Sequence, residues 1–133
     1  MLDIKFIREN KDIVQAGAKK KKIEVDLERL IELDDLRLKE MKEVEDLRAE
    51  VNRVSIEIVR DQDTQLKAQL IAEMRSVKEE IKGKEEKLKV TVEEWQKIML
   101  KIPNIPSVDT PEGKDETGNQ VLRSWGEKPQ FSF

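Results

Sequence analysis

Two long stretches with a heptad pattern of apolar residues, separated by a short polar break, limit the possible folds of this chain more than any other feature. The first runs from about Asp26 to Arg60, the second from about Gln65 to Ile102, and the break is Asp61-Gln62-Asp63-Thr64. Because so short a break can only reverse the chain, the pattern predicts an all-α fold, a long antiparallel two-helix coiled-coil hairpin. Such an arm has little concave surface for small-molecule chemistry, but it can reach a large partner.

The predicted seam residues follow one another at alternating spacings of three and four, as coiled-coil packing requires. On the first helix they are Leu30, Leu33, Arg37, Glu40, Val44, Leu47, Val51, Val54 and Ile58. On the second helix they are Lys67, Leu70, Met74, Val77, Ile81, Lys84, Leu88, Thr91, Trp95, Ile98 and Ile102.

A reversal near Gln62-Asp63 also predicts which seam residues oppose each other. The predicted layers are Leu30–Trp95, Leu33–Thr91, Arg37–Leu88, Glu40–Lys84, Val44–Ile81, Leu47–Val77, Val51–Met74, Val54–Leu70 and Ile58–Lys67. Glu40 would therefore form an ion pair with Lys84 on the seam, which helps to set the register of the two helices.

Composition excludes several classes of protein. The chain has 133 residues, enough for one domain, and 41% of them are charged while only 4% are aromatic. It contains no Cys, which excludes disulfides and thiolate catalysis, and no His, which removes the usual general base near neutral pH. No run of 18 apolar residues is present, so we expect no membrane span, and the N-terminus lacks the apolar region of a signal peptide.

Charge is unevenly distributed along the predicted arm. Residues 26–47 carry four basic and nine acidic side chains, whereas residues 48–82, around the tip, carry seven of each. A polyanion would meet less repulsion at the distal half. The same mixed charge is also the ordinary solvent face of a coiled coil.

The two ends of the chain differ from the arm. Residues 1–25 predict a base of two short helices, with Asp3 and Asn10 as their N-caps and with Ile13, Val14 and Ala18 on one side of the second. Asp26 would cap the arm. Residues 103–133 are rich in Pro and Gly and predict an interdomain linker, in which Gln120–Trp125 could pair as a strand.

No catalytic or metal site is recognisable. The sequence has no Gly-rich phosphate loop, no nucleophile beside a base and no cluster of metal ligands. Neighbouring acids such as Asp34-Asp35 and Glu79-Glu80 diverge by about 100° on a helix, so we expect them on the solvent face. Trp95 is expected to fill the seam, and Trp125 to pack on a further domain.

The chain resembles the N-terminal tRNA-binding domain of bacterial-type seryl-tRNA synthetases. The start Met1–Asn10, the arm segment Leu47–Ser55 and the ordered tail motif carry the resemblance. The tail motif is the most specific part and comprises Ile102-Pro103-Asn104-Ile105-Pro106, Gly113-Lys114-Asp115-Glu116, Asn119 and Trp125-Gly126-Glu127.

The resemblance implies a cytoplasmic protein whose arm grips the long variable arm and the elbow of serine tRNA by shape and backbone contacts. It implies that the full enzyme is a homodimer that uses ATP and Mg²⁺ to attach serine to tRNA. This chain alone, without the class II catalytic motifs, should be an inactive monomer with no cofactor.

Eight arm residues are the candidate tRNA contacts: Arg48, Asn52, Arg53, Ser55, Arg60, Arg75, Lys78 and Lys82. Of these, Asn52 and Ser55 match the family residue by residue, but Ile56 stands where the family often has a basic residue. The alternative is a structural coiled-coil module that binds protein partners or itself, or an arm used only for its shape.

Overall fold

The computed structural model describes residues 2–60, 63–113, 115–127, 129 and 131. Its α-helices are α1 (Ile4–Glu9), α2 (Lys11–Lys20), α3 (Leu27–Arg60) and α4 (Thr64–Met99), followed by a 3₁₀ turn at Glu116–Gly118. The two long helices, of 34 and 36 residues, pack against each other. The predicted all-α hairpin on a small helical base is confirmed.

Aspartate side chains begin three of the helices. Asp3, Asp26 and Asp63 each accept a hydrogen bond from a backbone N–H two or three residues on, at 3.1, 2.9 and 2.8 Å. The predicted caps Asp3 and Asp26 are therefore confirmed. Asn10 occupies the predicted N-cap position of α2, but its side chain makes no capping bond there and its amide donates instead to the carbonyl of Phe6 in α1 at 3.0 Å.

The core lies at the base of the arm, where α1 and α2 cover the lower ends of the long helices. Ile7, Val14 and Leu30 are at most 1% exposed. They form one cluster with Leu27, Met99 and Ile102. Ile13 lies outside this cluster and is half-exposed, contrary to the prediction, since the buried side of α2 is formed by Val14, Gly17 and Ala18.

The heptad seam is confirmed, because every predicted seam residue of α3 and α4 is buried or half-buried. Burial decreases along the arm. Val44 and Ile81 are the buried seam residues nearest the tip, and the apolar seam residues beyond them are half-buried. The predicted turn near Gln62-Asp63 lies partly outside the described residues, which omit Asp61 and Gln62, and α4 begins directly after Asp63.

At Met74 the contact between the two helices lies about one helical turn from the predicted layer. Met74 Sδ lies 3.9 Å from the hydroxyl of Ser55, one turn nearer the tip than the predicted partner Val51. The reason is the tilt of side chains toward the N-terminus of their own helix. Because the two helices are antiparallel, the side chains of α3 lean toward the base of the arm and those of α4 lean toward its tip. An α4 side chain therefore contacts an α3 residue whose Cα lies nearer the tip than that of the predicted partner.

The predicted seam ion pair between Glu40 and Lys84 is not formed. Lys84 Nζ instead lies 2.7 Å from Glu43 Oε2 and 3.8 Å from Glu80 Oε1, so the ammonium group leaves the seam for one flank of the arm. Oε2 of Glu40 stays buried without a hydrogen-bond partner among the described residues. The same shift in register explains the change of partner.

Asp34 corrects the prediction that Asp34-Asp35 is a solvent-facing pair, since Asp34 is only 2% exposed. Its carboxylate accepts hydrogen bonds from Arg8 and Arg37, each at 2.7 Å. Burial alone would raise the pKa of Asp34, but the bonds from Arg37 and Arg8 outweigh it and hold the pKa below its ordinary value. Arg37 also lies over the ring of Trp95, 4.8 Å from its centroid, so the network joins α1, α3 and α4.

The segment that follows α4 first packs against the helical base and then extends away from it. Ile105 packs against the core, and Lys20 Nζ donates to the carbonyls of Ser107 and Val108 at 3.3 and 3.0 Å. Further on, the predicted strand Gln120–Trp125 is wrong. This segment has no regular secondary structure, and its apolar side chains are at least 84% exposed.

Candidate nucleic-acid interface

Six of the eight candidate residues lie on one flank of the distal arm. Arg48, Asn52 and Ser55 are spaced by four and three residues along α3, which places them in a row on one side of that helix. Their counterparts on α4 have the same spacing in reverse order: Arg75, Lys78 and Lys82. We call these two rows together the basic flank.

Two cross-helix contacts show that the rows lie side by side. Ser55, Arg75 and Lys78 line a shallow groove of about 300 Å³ between the helices. Nearer the base, Arg48 Nη2 lies 2.6 Å from Glu85 Oε1, one turn of α4 beyond Lys82. The charged side chains of the flank are exposed. The flank therefore presents a continuous cationic strip along the distal arm, with Glu85 at its basal end.

Ser55 plays a different part from the charged residues around it. It is half-buried, and its hydroxyl donates to the carbonyl of Val51 at 2.7 Å. Because that bond uses its only proton, Ser55 can offer a ligand only its oxygen as an acceptor. Asn52, one turn nearer the base, is exposed and can both donate and accept.

The structure does not bring Arg53 and Arg60 to the basic flank. Arg53 follows Arg48 by five residues, which rotates it about 140° around α3, and Arg60 continues the row of Arg53 seven residues on. Arg53 Nη2 lies 3.9 Å from Glu50 Oε1, on the side away from the groove. A ligand seated on the basic flank would not meet both sets of side chains at once.

The opposite flank of the distal arm is acidic, and sequence reasoning missed it. Its residues are Glu43, Glu50 and Glu57 on α3 and Glu73 and Glu80 on α4. Several of them stand two residues from a member of the basic flank, as Glu50 does from Arg48 and Glu80 from Lys78, and two residues rotate a helix by about 200°. We call this set the acidic flank.

Lys84 ties the two helices of the acidic flank together through Glu43 and Glu80. The hydrogen bond from Lys84 lowers the pKa of Glu43, and the same bond raises the pKa of Lys84. The remaining glutamates keep the flank negative. The alternation of opposite charges two residues apart was the signal in the sequence, hidden by the equal numbers of acids and bases between residues 48 and 82.

This arrangement is suited to binding an extended polyanion. Charged groups in a row on an exposed, nearly flat surface can contact successive phosphates. Among the described residues, no group of three or more acidic side chains is placed to hold a metal ion. None of the described helices is long and apolar enough to cross a membrane.

Comparison with known proteins gives the chain a family. Residues 1–106 match the family described as the seryl-tRNA synthetase N-terminal domain. The whole chain is 42% identical to a serine–tRNA ligase of Geotalea uraniireducens and 43% identical to that of Citrifermentans bemidjiense, and it covers 32% of the length of each.

A solved structure supports the same relationship. The crystal structure of seryl-tRNA synthetase from Pyrococcus horikoshii complexed with ATP matches 95% of this chain, with a TM-score of 0.69 and 30% identity. The chain corresponds to 29% of that protein and thus spans about a third of the length of its relatives. The chain therefore belongs to the seryl-tRNA synthetase N-terminal domain family.

Proposed function

We propose that this chain is the tRNA-binding arm of a seryl-tRNA synthetase. In this proposal it recognises the long variable arm and the elbow of serine tRNA by shape and by contacts to the RNA backbone. The observation that carries the proposal is the separation of charge on the distal arm. A structural coiled coil has no need to place Arg48, Arg75, Lys78 and Lys82 together on one flank and five glutamates on the other, and this separation holds although Arg53, Arg60 and Lys84 lie outside the basic flank.

The basic flank supplies contacts of two kinds. Arg48, Arg75, Lys78 and Lys82 attract phosphates, an interaction that carries little sequence information. Asn52 and Ser55 lie between the cationic side chains and offer amide and hydroxyl groups, which can bond to ribose 2′-hydroxyls that distinguish RNA from DNA. Together these groups would favour a backbone of a particular shape over a particular sequence.

The acidic flank determines which way the RNA can lie. A phosphate backbone is repelled by Glu50, Glu57 and Glu73, so an RNA that reaches the arm is steered to the basic flank. The orientation matters because the arm has two long flanks, and an RNA bound along the acidic flank would extend away from the rest of the enzyme. Arg53 and Arg60, away from the basic flank, would then add long-range attraction without direct contact.

Ligation of serine to tRNA is assigned to the part of the longer relatives that this chain does not include. We propose that ATP and Mg²⁺ are likewise used by that part and not by this chain, whose sequence has no Gly-rich loop for phosphates. We further propose a monomer for this chain alone, a homodimer for the full enzyme and a cytoplasmic location, as translation requires.

The direct test is a binding titration of this chain with serine tRNA and with a tRNA that has a short variable arm. We expect tighter binding to serine tRNA, with an affinity that falls steeply as salt rises because phosphate contacts release counterions. Equal binding of both tRNAs, or no binding even at low salt, would contradict the proposal. Salt-insensitive self-association would favour the structural coiled coil instead.

A further inference from the structure

Gly83 lies in the interior of α4, and neither backbone conformation nor packing requires a glycine there. It is exposed, its φ is not in the left-handed region, and a Cβ added to it would meet no atom within 4 Å. Gly17 differs, because a Cβ there would lie 3.4 Å from Cδ of Pro106 in the returning tail. Gly83 is also the only glycine in the two arm helices, and neither helix contains proline.

A glycine in the middle of a helix weakens it, because the unfolded chain gains conformational freedom and the helix loses side-chain packing. In an exposed position with free space, alanine would serve better for stability alone. The residue therefore has the properties of a built-in weak point of α4.

The seam is polar at the level of Gly83. Its neighbour Lys84 occupies a seam position but turns outward to Glu43 and Glu80, and Oε2 of Glu40 is buried without a partner among the described residues. Just beyond this level, Val44 and Ile81 are the buried seam residues nearest the tip. The weak point of α4 thus coincides with a break in apolar packing between the two halves of the arm.

We propose that Gly83 is a hinge at which the distal arm, with its basic flank, bends relative to the base when RNA is bound. The bend opens helical hydrogen bonds of α4 near Gly83 while α3, without glycine, flexes smoothly beside it. The ion pairs near this level, Glu43–Lys84–Glu80 on the acidic flank and Arg48–Glu85 on the basic flank, lie outside the apolar seam, so they can lengthen without exposing apolar surface. This proposal rests on the proposed function in one respect, namely that RNA is the ligand that the bend accommodates.

The hinge can be measured without RNA. The chain has no Cys, so spin labels can be placed at Gln69→Cys and Lys97→Cys, on either side of Gly83. We expect a broad distribution of label distances that narrows in Gly83→Ala, together with slower amide hydrogen exchange around residue 83. The matched control is Ser76→Ala, an exposed position of α4 at which helix propensity also rises but where no hinge is proposed. Equal widths in the parent chain and in Gly83→Ala would overturn the hinge.

Serine tRNA binding then tests the use of the hinge. We expect Gly83→Ala to weaken binding about threefold or more, while Ser76→Ala leaves it unchanged. Narrowed distances with unchanged binding would overturn the link to RNA. If the parent chain bound no tRNA, the proposed function would fail, and the distance distributions alone would still decide whether the hinge exists.

Discussion

The basal and distal halves of the arm share one heptad seam but differ in how deeply it is buried. At the base, α1 and α2 add a second layer over α3 and α4, and Leu30 and Leu33 are at most 2% exposed. Toward the tip the two helices have only each other, so Val54 and Leu70 remain half-buried. The difference indicates that the base supplies stability while the distal half keeps its two flanks free for a partner.

Truncation of seam leucines should give the largest contrast between the halves. Leu30→Ala should lower the free energy of unfolding by about 2–5 kcal/mol, as expected for a fully buried side chain. Leu70→Ala removes the same atoms from a half-buried site and should cost about half as much or less, because part of the surface was already in water. Urea denaturation of both variants measures this, and equal losses would contradict a stability confined to the base.

Asp34→Asn tests the ionic network that joins α1 to the arm. Loss of the charge weakens the bonds from Arg8 and Arg37, and we expect a loss of about 1.5–3 kcal/mol, the range for hydrogen bonds to charged groups. Arg53→Gln, on the exposed distal arm, is the control and should change stability by less than about 1 kcal/mol. Denaturation at pH 7 of both variants and the parent measures the effect.

The effect of Asp34→Asn should depend on pH in a definite direction. The pKa of Asp34 is lowered in the folded chain from its ordinary 3.8. Its charged form therefore contributes stability above about pH 4, and this contribution is lost as pH falls through the lower pKa of the folded state. The difference between parent and variant should be constant from about pH 5 to 8 and shrink below about pH 4. A difference that grew in acid would contradict this assignment.

Asp34 also shows where sequence reasoning reached its limit. The seam could be predicted because burial between two helices follows from spacing within each helix. Burial of Asp34 depends on α1, which is far away in sequence. The only local sign was that it stands seven residues after Leu27, on a second stripe facing the base. The register was missed for a different reason, because spacing alone ignores the tilt of side chains along the helix axis.

The candidate site could be predicted as a set of residues but not as a surface. The spacing of Arg75, Lys78 and Lys82 placed them on one side of a helix, whereas only the packed hairpin shows that this side adjoins Ser55. The separation of Arg53 and Arg60 from the others, by contrast, follows from their spacing along α3 and could have been predicted. Net charge concealed the acidic flank, since equal numbers of acids and bases give the same sum whether they are mixed or segregated.

Removing two positive charges from the basic flank should affect tRNA binding more than removing two from elsewhere on the distal arm. Arg75→Gln with Lys78→Gln should weaken tRNA binding by about tenfold, or roughly 1.4 kcal/mol. It should also reduce the slope of log affinity against log salt by about two, one for each phosphate that a cationic side chain no longer neutralises. Arg53→Gln with Arg60→Gln removes the same charge away from the basic flank. It should reduce affinity less and leave the slope nearly unchanged, and equal effects would mean that only net charge matters.

The smallest effect should come from the pair between Arg48 and Glu85. Both side chains are substantially exposed, at 61% and 40%, so Glu85→Gln should alter stability by less than about 1 kcal/mol. The same change frees Arg48 and removes a carboxylate that contacts the basic flank, so tRNA binding should strengthen by a few fold at low salt. Glu57→Gln makes the same charge change on the acidic flank, two residues from Ser55. If it strengthened binding as much as Glu85→Gln does, Arg48 would have no contact to RNA and the gain would reflect net charge alone.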